Sequence, residues 1–266
     1  MNSLKVASVA LDIVWTDIEE NLFATENIIH RLDKDVDLLV LPELFTTGFI
    51  SSASLLIKFA EPEDSGDSLT LRKVKEWAAK YNMAIAGSYL SVSSDGRFHN
   101  RGFLVEPSGE TTFYIKKHLF SLSSEAENFA AGTDTIPVIR FRGWNIALAI
   151  CYDLRFPAWL RNRGAMYDVL ILPANWPARR AYAWEHLLIA RAIENQAYVV
   201  GANRSGSDDS GPYGDNKSFI LNYVGKSIGE VCAHHKNVLT ATLDRDRLLA
   251  YRSSFPALND ADNFSF

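Results

Sequence analysis

The chain has 266 residues, 47% hydrophobic and 22% charged, with a net charge of −5. This is ordinary globular composition with ample material for a core; the acidic balance disfavours a nucleic-acid partner, and no apolar run reaches the length of a membrane span. Two cysteines make no disulfide scaffold, and the opening MNSLKVASVALDIVW alternates like a strand and lacks the basic start of a signal peptide, so a reducing, cytoplasmic setting is expected.

Residues 4–11 are rich in β-formers and predict a first strand. Thr16 and Glu19 have capping-box spacing, and Ile18, Leu22, Thr25, Ile29 and Leu32 follow at helical spacing, predicting a helix over 17–31. Residues 37–42, DLLVLP, form a continuous apolar strand of the doubly covered kind, ending at Glu43. Gly48 and SSASL read as a loop. Leu71, Val74, Trp77, Ala78 and Tyr81 predict an amphipathic helix over 68–81. A strand over 83–90 follows. Turn signals at 93–96 and 107–109 lead into antiparallel partners over 98–105 and 112–115. Residues 116–135 read as a long irregular loop, a length that is usually functional or disordered.

The second half replays the first. Residues 145–150 answer the opening strand, and YDVLILPA over 167–174 matches VDLLVLPE over 36–43. Residues 195–201 follow a helix as 82–87 do, and 219–225 echo 103–109. Two similar β-α-β halves in one α/β unit, with two packed sheets and helices outside, satisfy these echoes. The tail from about 244 is polar and aromatic, and either packs on the body or reaches a neighbouring subunit.

Cys151 closes the apolar run 146–150, where α/β folds place their crevices. Its blander reading is an inert buried thiol. The two LP-type strands should end at one edge, bringing Glu43, Asn175 and Trp176 near it. A carboxylate in an apolar surround can serve as general base, although a lone glutamate more often caps a strand or binds arginine. Lys116 or Lys117 could stabilise thiolate and oxyanion, the other being solvated. His118 is a candidate Cys–His partner but ranks below Glu43. Cys232 reads as an ordinary strand position, and His234 and His235 lack metal-ligand spacing. Arg191 and Glu194, three apart, read as a structural pair. No strand is followed by a Gly-rich phosphate fingerprint.

The segments LPELFTTGF, YIKKHLF, ICYDLRFP, ILPANWP and ARAIENQAYVVGANR resemble the nitrilase superfamily of carbon–nitrogen hydrolases, over about Leu4 to Asp244. The resemblance implies a four-layer α-β-β-α sandwich and one carbon–nitrogen hydrolase domain over 1–266. It implies a triad of Glu43 as base, Lys116 rather than Lys117, and Cys151 as nucleophile. A second glutamate seven residues before a loop glycine falls on Glu125, from Gly132, with Glu127 as its rival. CYDLRFPAWLRNR, ANWPA, RAIENQAYV and FPALNDAD resemble the bacterial omega-amidase-like branch, whose members hydrolyse the terminal amide of 2-oxoglutaramate or 2-oxosuccinamate. The same triad serves aliphatic amidases, carbamoylases and nitrilases, and a non-catalytic binding protein on this scaffold is the remaining alternative. No cofactor and no metal are implied, and the substrate is a small amide. Tyr152 is expected to supply an oxyanion N–H, with Asn175 and Trp176 beside it and Phe49 and Phe120 as pocket walls. Arg155 reads as a scaffold ion-pair partner, whereas Arg179, Arg180 and Arg204 are candidates to face the mouth. The resemblance also implies at least a homodimer.

Overall fold

The computed structural model describes residues 2–63, 68–215 and 217–262. In chain order the first half carries β1 (Ser3–Val9), α1 (Ile18–His30), β2 (Leu38–Val40), α2 (Ala53–Phe59), β3 (Glu61–Pro62), α3 (Leu69–Tyr81), β4 (Ala84–Val92), β5 (Phe98–Val105), β6 (Thr111–Ile115) and α4 (Glu125–Asn128). The second carries β7 (Val138–Phe141), β8 (Trp144–Leu148), β9 (Val169–Ala174), α5 (Ala181–Glu194), β10 (Tyr198–Asn203), β11 (Ser207–Asp208), β12 (Gly211–Pro212), β13 (Phe219–Leu221), β14 (Glu230–Cys232), β15 (His235–Asp244) and α6 (Arg245–Ser254).

The larger sheet runs β14-β15-β1-β2-β4-β5-β6, and the smaller runs β13-β10-β9-β8-β7. The internal echo is topological. β1, β2 and β4 are parallel and β5 closes antiparallel. β8, β9 and β10 are parallel and β13 closes antiparallel. Period-two alternation explains the layering. Leu4, Val6, Leu38 and Val40 join the core between the sheets, while Ala7, Val9, Leu39 and Leu41 pack under α1 and α3. Each fully buried Leu or Val among them contributes roughly 1.5–3 kcal/mol. Ser8 crosses between the sheets, its Oγ donating to Gly201 O at 3.1 Å. On the far side α5 lies so close that a Cβ on Gly201 would sit 2.8 Å from Leu188. The result is the α-β-β-α sandwich.

Three local expectations are corrected, and the tail takes one of its two expected courses. Helix α1 is capped by Asp17, whose side chain accepts from the Glu20 N–H, because Thr16 is in the left-handed region at φ +58°. The Ser-rich stretch read as a loop leads into α2, whose Leu56 is buried with Leu44, Ile50, Leu90 and Phe129. The 116–135 segment holds the one-turn α4. The tail from 244 begins with a helix on the chain's own body. Asp244 caps α6, Leu248 is buried, and Arg252 pairs with Asp168 at 3.0 Å and donates to Tyr167 O and Gln196 O. Residues 263–266 of that tail lie outside the described residues.

Candidate active site

Glu43 follows β2, Lys116 follows β6, Cys151 follows β8 and Asn175 follows β9, so sheet topology alone brings four loop residues to one edge. The bond between the two corresponding ends is direct. Asn175 Nδ2 donates to Glu43 O at 2.7 Å, and the Asn175 N–H donates to Glu43 Oε2 at 2.9 Å.

Cys151 opens a 3₁₀ turn, Cys151–Arg155, with φ +42°. A non-glycine residue there costs about 1–3 kcal/mol and persists only where its surroundings over-determine it. Asp153 provides that determination. Its buried carboxylate accepts from the Ile150 N–H at 3.0 Å, Tyr114 OH at 2.9 Å, the His118 N–H at 3.0 Å and His118 Nδ1 at 2.7 Å. His118 also stacks on Phe156 at 3.6 Å, so it clamps the turn and makes no pair with the cysteine. Arg191 supports the same turn through Leu154 O at 2.7 Å while pairing with Glu194 at 2.7 Å, as the spacing predicts.

Lys116 is buried. Its Nζ donates to Glu43 Oε1 at 2.8 Å and to Glu125 Oε1 and Oε2 at 2.8 and 3.1 Å. Glu125 also accepts from the Phe120 N–H at 2.7 Å, whereas Glu127 is exposed. Gly132 packs against this segment: a Cβ would fall 2.1 Å from Ile115 O, and its N–H donates to Lys116 O at 3.0 Å. Lys117 lies over Trp159 instead, 5.5 Å from the ring centre.

One cation thus serves two buried carboxylates and faces a thiol. Burial by itself would discharge Lys116, but the charges of Glu125 and Glu43 hold it well above the ordinary lysine range. Burial, with Glu43 adding to it and Lys116 opposing, raises the Glu125 carboxyl. Burial and then the Glu43 charge push the Cys151 thiol well up, against the pull of Lys116. Burial and the Glu43 charge thus favour the neutral thiol at Cys151 over the thiolate. The lysine does not create a standing thiolate, because its charge is already shared between two carboxylates.

A pocket of about 180 Å³ opens over Cys151. Phe49, Phe120 and Trp176 line it, together with Tyr152 and Tyr213. Phe120 and Tyr152 meet edge-on at 5.1 Å, and the Phe49 ring centre is 5.6 Å from Lys116 Nζ. Arg155, Arg179 and Arg180 form the rim. The reading of Arg155 as a scaffold ion-pair partner is corrected: it is exposed, lies 4.9 Å over Trp176, and meets no carboxylate among the described residues. Arg204 is corrected the other way. It is buried, pairs with Asp208 at 2.9 Å, donates to Ile13 O and stacks on Tyr213, so it braces the wall from behind. Sequence reasoning missed Asp153, Asn100 and Tyr213. Asp153 at least stood inside the CYDLR segment, whereas Asn100 and Tyr213 carried no local signal. Among the described residues no group of three His, Cys, Asp or Glu side chains is placed to hold a metal ion.

The family model for carbon-nitrogen hydrolases matches residues 5–253. The chain belongs to the carbon–nitrogen hydrolase family. It is 39% identical to omega-amidase YafV of Yersinia enterocolitica, over 99% of both chains. It is 30% identical to the 2-oxoglutaramate amidase of Bacillus subtilis, over 96% of this chain and 96% of that one. Among solved structures, XC1258 of Xanthomonas campestris, a CN-hydrolase superfamily protein with an arsenic adduct in its active site, superimposes with a TM-score of 0.90 at 33% identity over the whole of both chains. Within the nitrilase superfamily this carbon–nitrogen hydrolase stands in the omega-amidase branch. It is a hydrolase of carbon–nitrogen bonds other than peptide bonds, an amidohydrolase acting on small molecules. Among its described residues no helix is long and apolar enough to cross a membrane.

Proposed function

We propose that the enzyme hydrolyses the terminal amide of a short 2-oxo dicarboxylic acid monoamide, 2-oxoglutaramate or 2-oxosuccinamate, through a thioester on Cys151. The observation that carries this reading is the pairing of a buried Glu43–Lys116–Glu125 cluster beneath Cys151 with a small pocket rimmed by Arg155, Arg179 and Arg180. The floor suits acyl transfer. The rim offers cations, without carboxylate partners among the described residues, to a substrate that carries a carboxylate at the end remote from its amide. The relatives named omega-amidase and 2-oxoglutaramate amidase support the same substrate class.

In this scheme Glu43 accepts the thiol proton as sulfur attacks the amide carbon. The tetrahedral oxyanion is held by Lys116 Nζ and the Tyr152 N–H, which as the second residue of a 3₁₀ turn has no intrahelical acceptor. The C–N bond breaks, Glu43 returns the proton to nitrogen, and ammonia leaves. Water then adds to the thioester with Glu43 as base, while Glu125 keeps Lys116 in place and positions the water. Sulfur departs, regains its proton from Glu43, and the acid is released. Amide plus water thus gives acid plus ammonia, and the enzyme is restored.

The chain acts as one hydrolase domain over 1–266, in the cytoplasm, where reducing conditions keep Cys151 a thiol. It pairs into a homodimer; Tyr182 and Ile193 on α5 and Leu249 on α6 are exposed apolar side chains that a partner would cover. An ammonia-release panel tests the substrate. Turnover should be greatest with 2-oxoglutaramate and 2-oxosuccinamate and weak with N-carbamoyl amino acids, simple aliphatic amides and nitriles. Strong carbamoyl turnover with none of 2-oxoglutaramate would refute the choice. Intact-mass detection of an acyl adduct on Cys151 tests the thioester.

A further inference from the structure

A side chain without any local sequence signal meets the Glu43–Lys116 pair. Asn100 lies in β5 opposite Leu90 of β4 and is fully buried. Its Nδ2 donates to Glu43 Oε1 at 2.7 Å. The same oxygen accepts from Lys116 Nζ at 2.8 Å. The Asn100 backbone carbonyl accepts the Lys116 N–H at 3.0 Å. One residue therefore sets both the carboxylate and the backbone from which the lysine projects. Its own Oδ1 has no partner among the described residues. Turning the amide over would set that oxygen against Glu43 Oε1, so the carboxylate dictates which way the amide lies. A buried amide left half-satisfied calls for an explanation, and here the satisfied half supplies one.

We propose that Asn100 is a positioning residue that assigns proton acceptance to one oxygen of Glu43. Each carboxylate oxygen offers two lone-pair sites. Oε1 uses both, on Lys116 and Asn100. Oε2 holds the Asn175 N–H at 2.9 Å and has one site left, the one free to accept the Cys151 proton. The terminal torsion of a glutamate is broad. Without the Asn100 donor, Oε1 regains a free lone pair, the carboxylate can rotate, and either oxygen can face the sulfur. The titratable groups facing Glu43 are Lys116 after β6, Glu125 on α4, Cys151 after β8 and Tyr213 on the far wall.

This inference rests on Glu43 being the base proposed above, but not on the choice of substrate. Its test is therefore the pH dependence of Cys151 alkylation by iodoacetamide, followed by intact mass, which needs no amide. The proteins compared are wild type, Asn100→Ser, Asn100→Asp and, as control, Glu43→Gln. Asn100→Ser should slow alkylation at neutral pH by roughly 10- to 100-fold, part of what a positioned base supplies. The shape of its pH profile should differ from wild type, because the carboxylate facing the sulfur is no longer held in one orientation. With any amide that the wild type turns over, kcat should fall while KM stays nearly constant. Asn100→Asp keeps the shape but sets a second acid against Oε1. It should be slow at neutral pH and recover toward wild type as pH falls and the new acid becomes a donor. A merely structural Asn100 would lower the melting temperature and leave the alkylation profile of the folded protein unchanged. That result in either variant overturns the proposal, and the near-isosteric Asp variant carries the test if the Ser variant does not fold. If Glu43→Gln leaves the wild-type profile unaltered, the base reading fails and this proposal falls with it. Failure of the substrate panel alone touches only the substrate.

Discussion

The floor and the rim of the pocket are built on opposite rules. On the floor, Glu43, Lys116 and Glu125 are buried and bonded to one another, to Asn100, and to the backbone of Asn175 and Phe120. At the rim, the guanidiniums of Arg155 and Arg180 meet no carboxylate among the described residues and rest on aromatic faces, 4.9 Å from Trp176 and 4.9 Å from Phe120. A floor so over-determined suits chemistry that demands fixed atoms. Guanidiniums left without carboxylates suit recognition, because a ligand anion can be the partner each lacks. Burial, with the neighbouring charges of Arg179 and Arg155, lowers the pKa of Arg180, which further favours an anion there.

Substitutions on the floor should have the largest effects. Cys151→Ala should abolish acid formation, a loss of about 10⁴-fold or more in kcat; ammonia release at the wild-type rate would sink the scheme. Lys116→Ala should cost roughly 10²–10³-fold in kcat, or more if Glu43 and Glu125 repel and the floor loosens. Lys117→Ala should be near wild type in the same ammonia assay, and the reverse order would mean the lysines have exchanged roles.

At the rim the effect should be smaller and of another kind. Arg155→Ala or Arg180→Ala removes a charged hydrogen-bond donor worth about 1.5–3 kcal/mol. KM for a carboxylate-bearing amide should therefore rise about 10- to 100-fold while kcat changes little. An uncharged amide of similar length should feel neither substitution. Equal losses in kcat would place these arginines in the floor's chemistry instead.

The smallest effect is one of stability. Burial first, then the Glu43 charge, holds the Cys151 thiol above its ordinary range. A raised folded pKa means that unfolding releases a group that ionises more readily. The thiol's contribution is then complete below the ordinary value of about 8.5 and is lost as pH rises above it. Cys151→Ser should flatten part of the alkaline decline, visible as a smaller drop in denaturant midpoint between neutral and alkaline pH.

Much of this arrangement was legible in the chain. Apolar runs ending in LPE, LPAN and ICYD mark strand ends, and their repetition places Glu43, Asn175 and Cys151 at one edge before any coordinate is known. The choice of Lys116 over Lys117, and of Glu125 through Gly132, came from the resemblance to the nitrilase superfamily. The close approach of Gly132 to Ile115 O explains why glycine is needed there. Helix α2 was hidden because a Ser-rich start masked the burial of Leu56.

Strand periodicity is local and carries its own signal, so the layers can be read from the chain, and the floor follows from motifs that resemble a known family. The rim and the support depend instead on contacts between residues remote in the chain. Arg155 faces the pocket because no carboxylate is near it in space, and Arg204 is withdrawn because Asp208 and Ile13 O are. Asn100 reaches Glu43 across 57 residues of chain. Such partnerships are fixed by the placing of β2 and β5 on either side of β4 in the folded sheet, and a separation of that length leaves no pattern in the sequence to read.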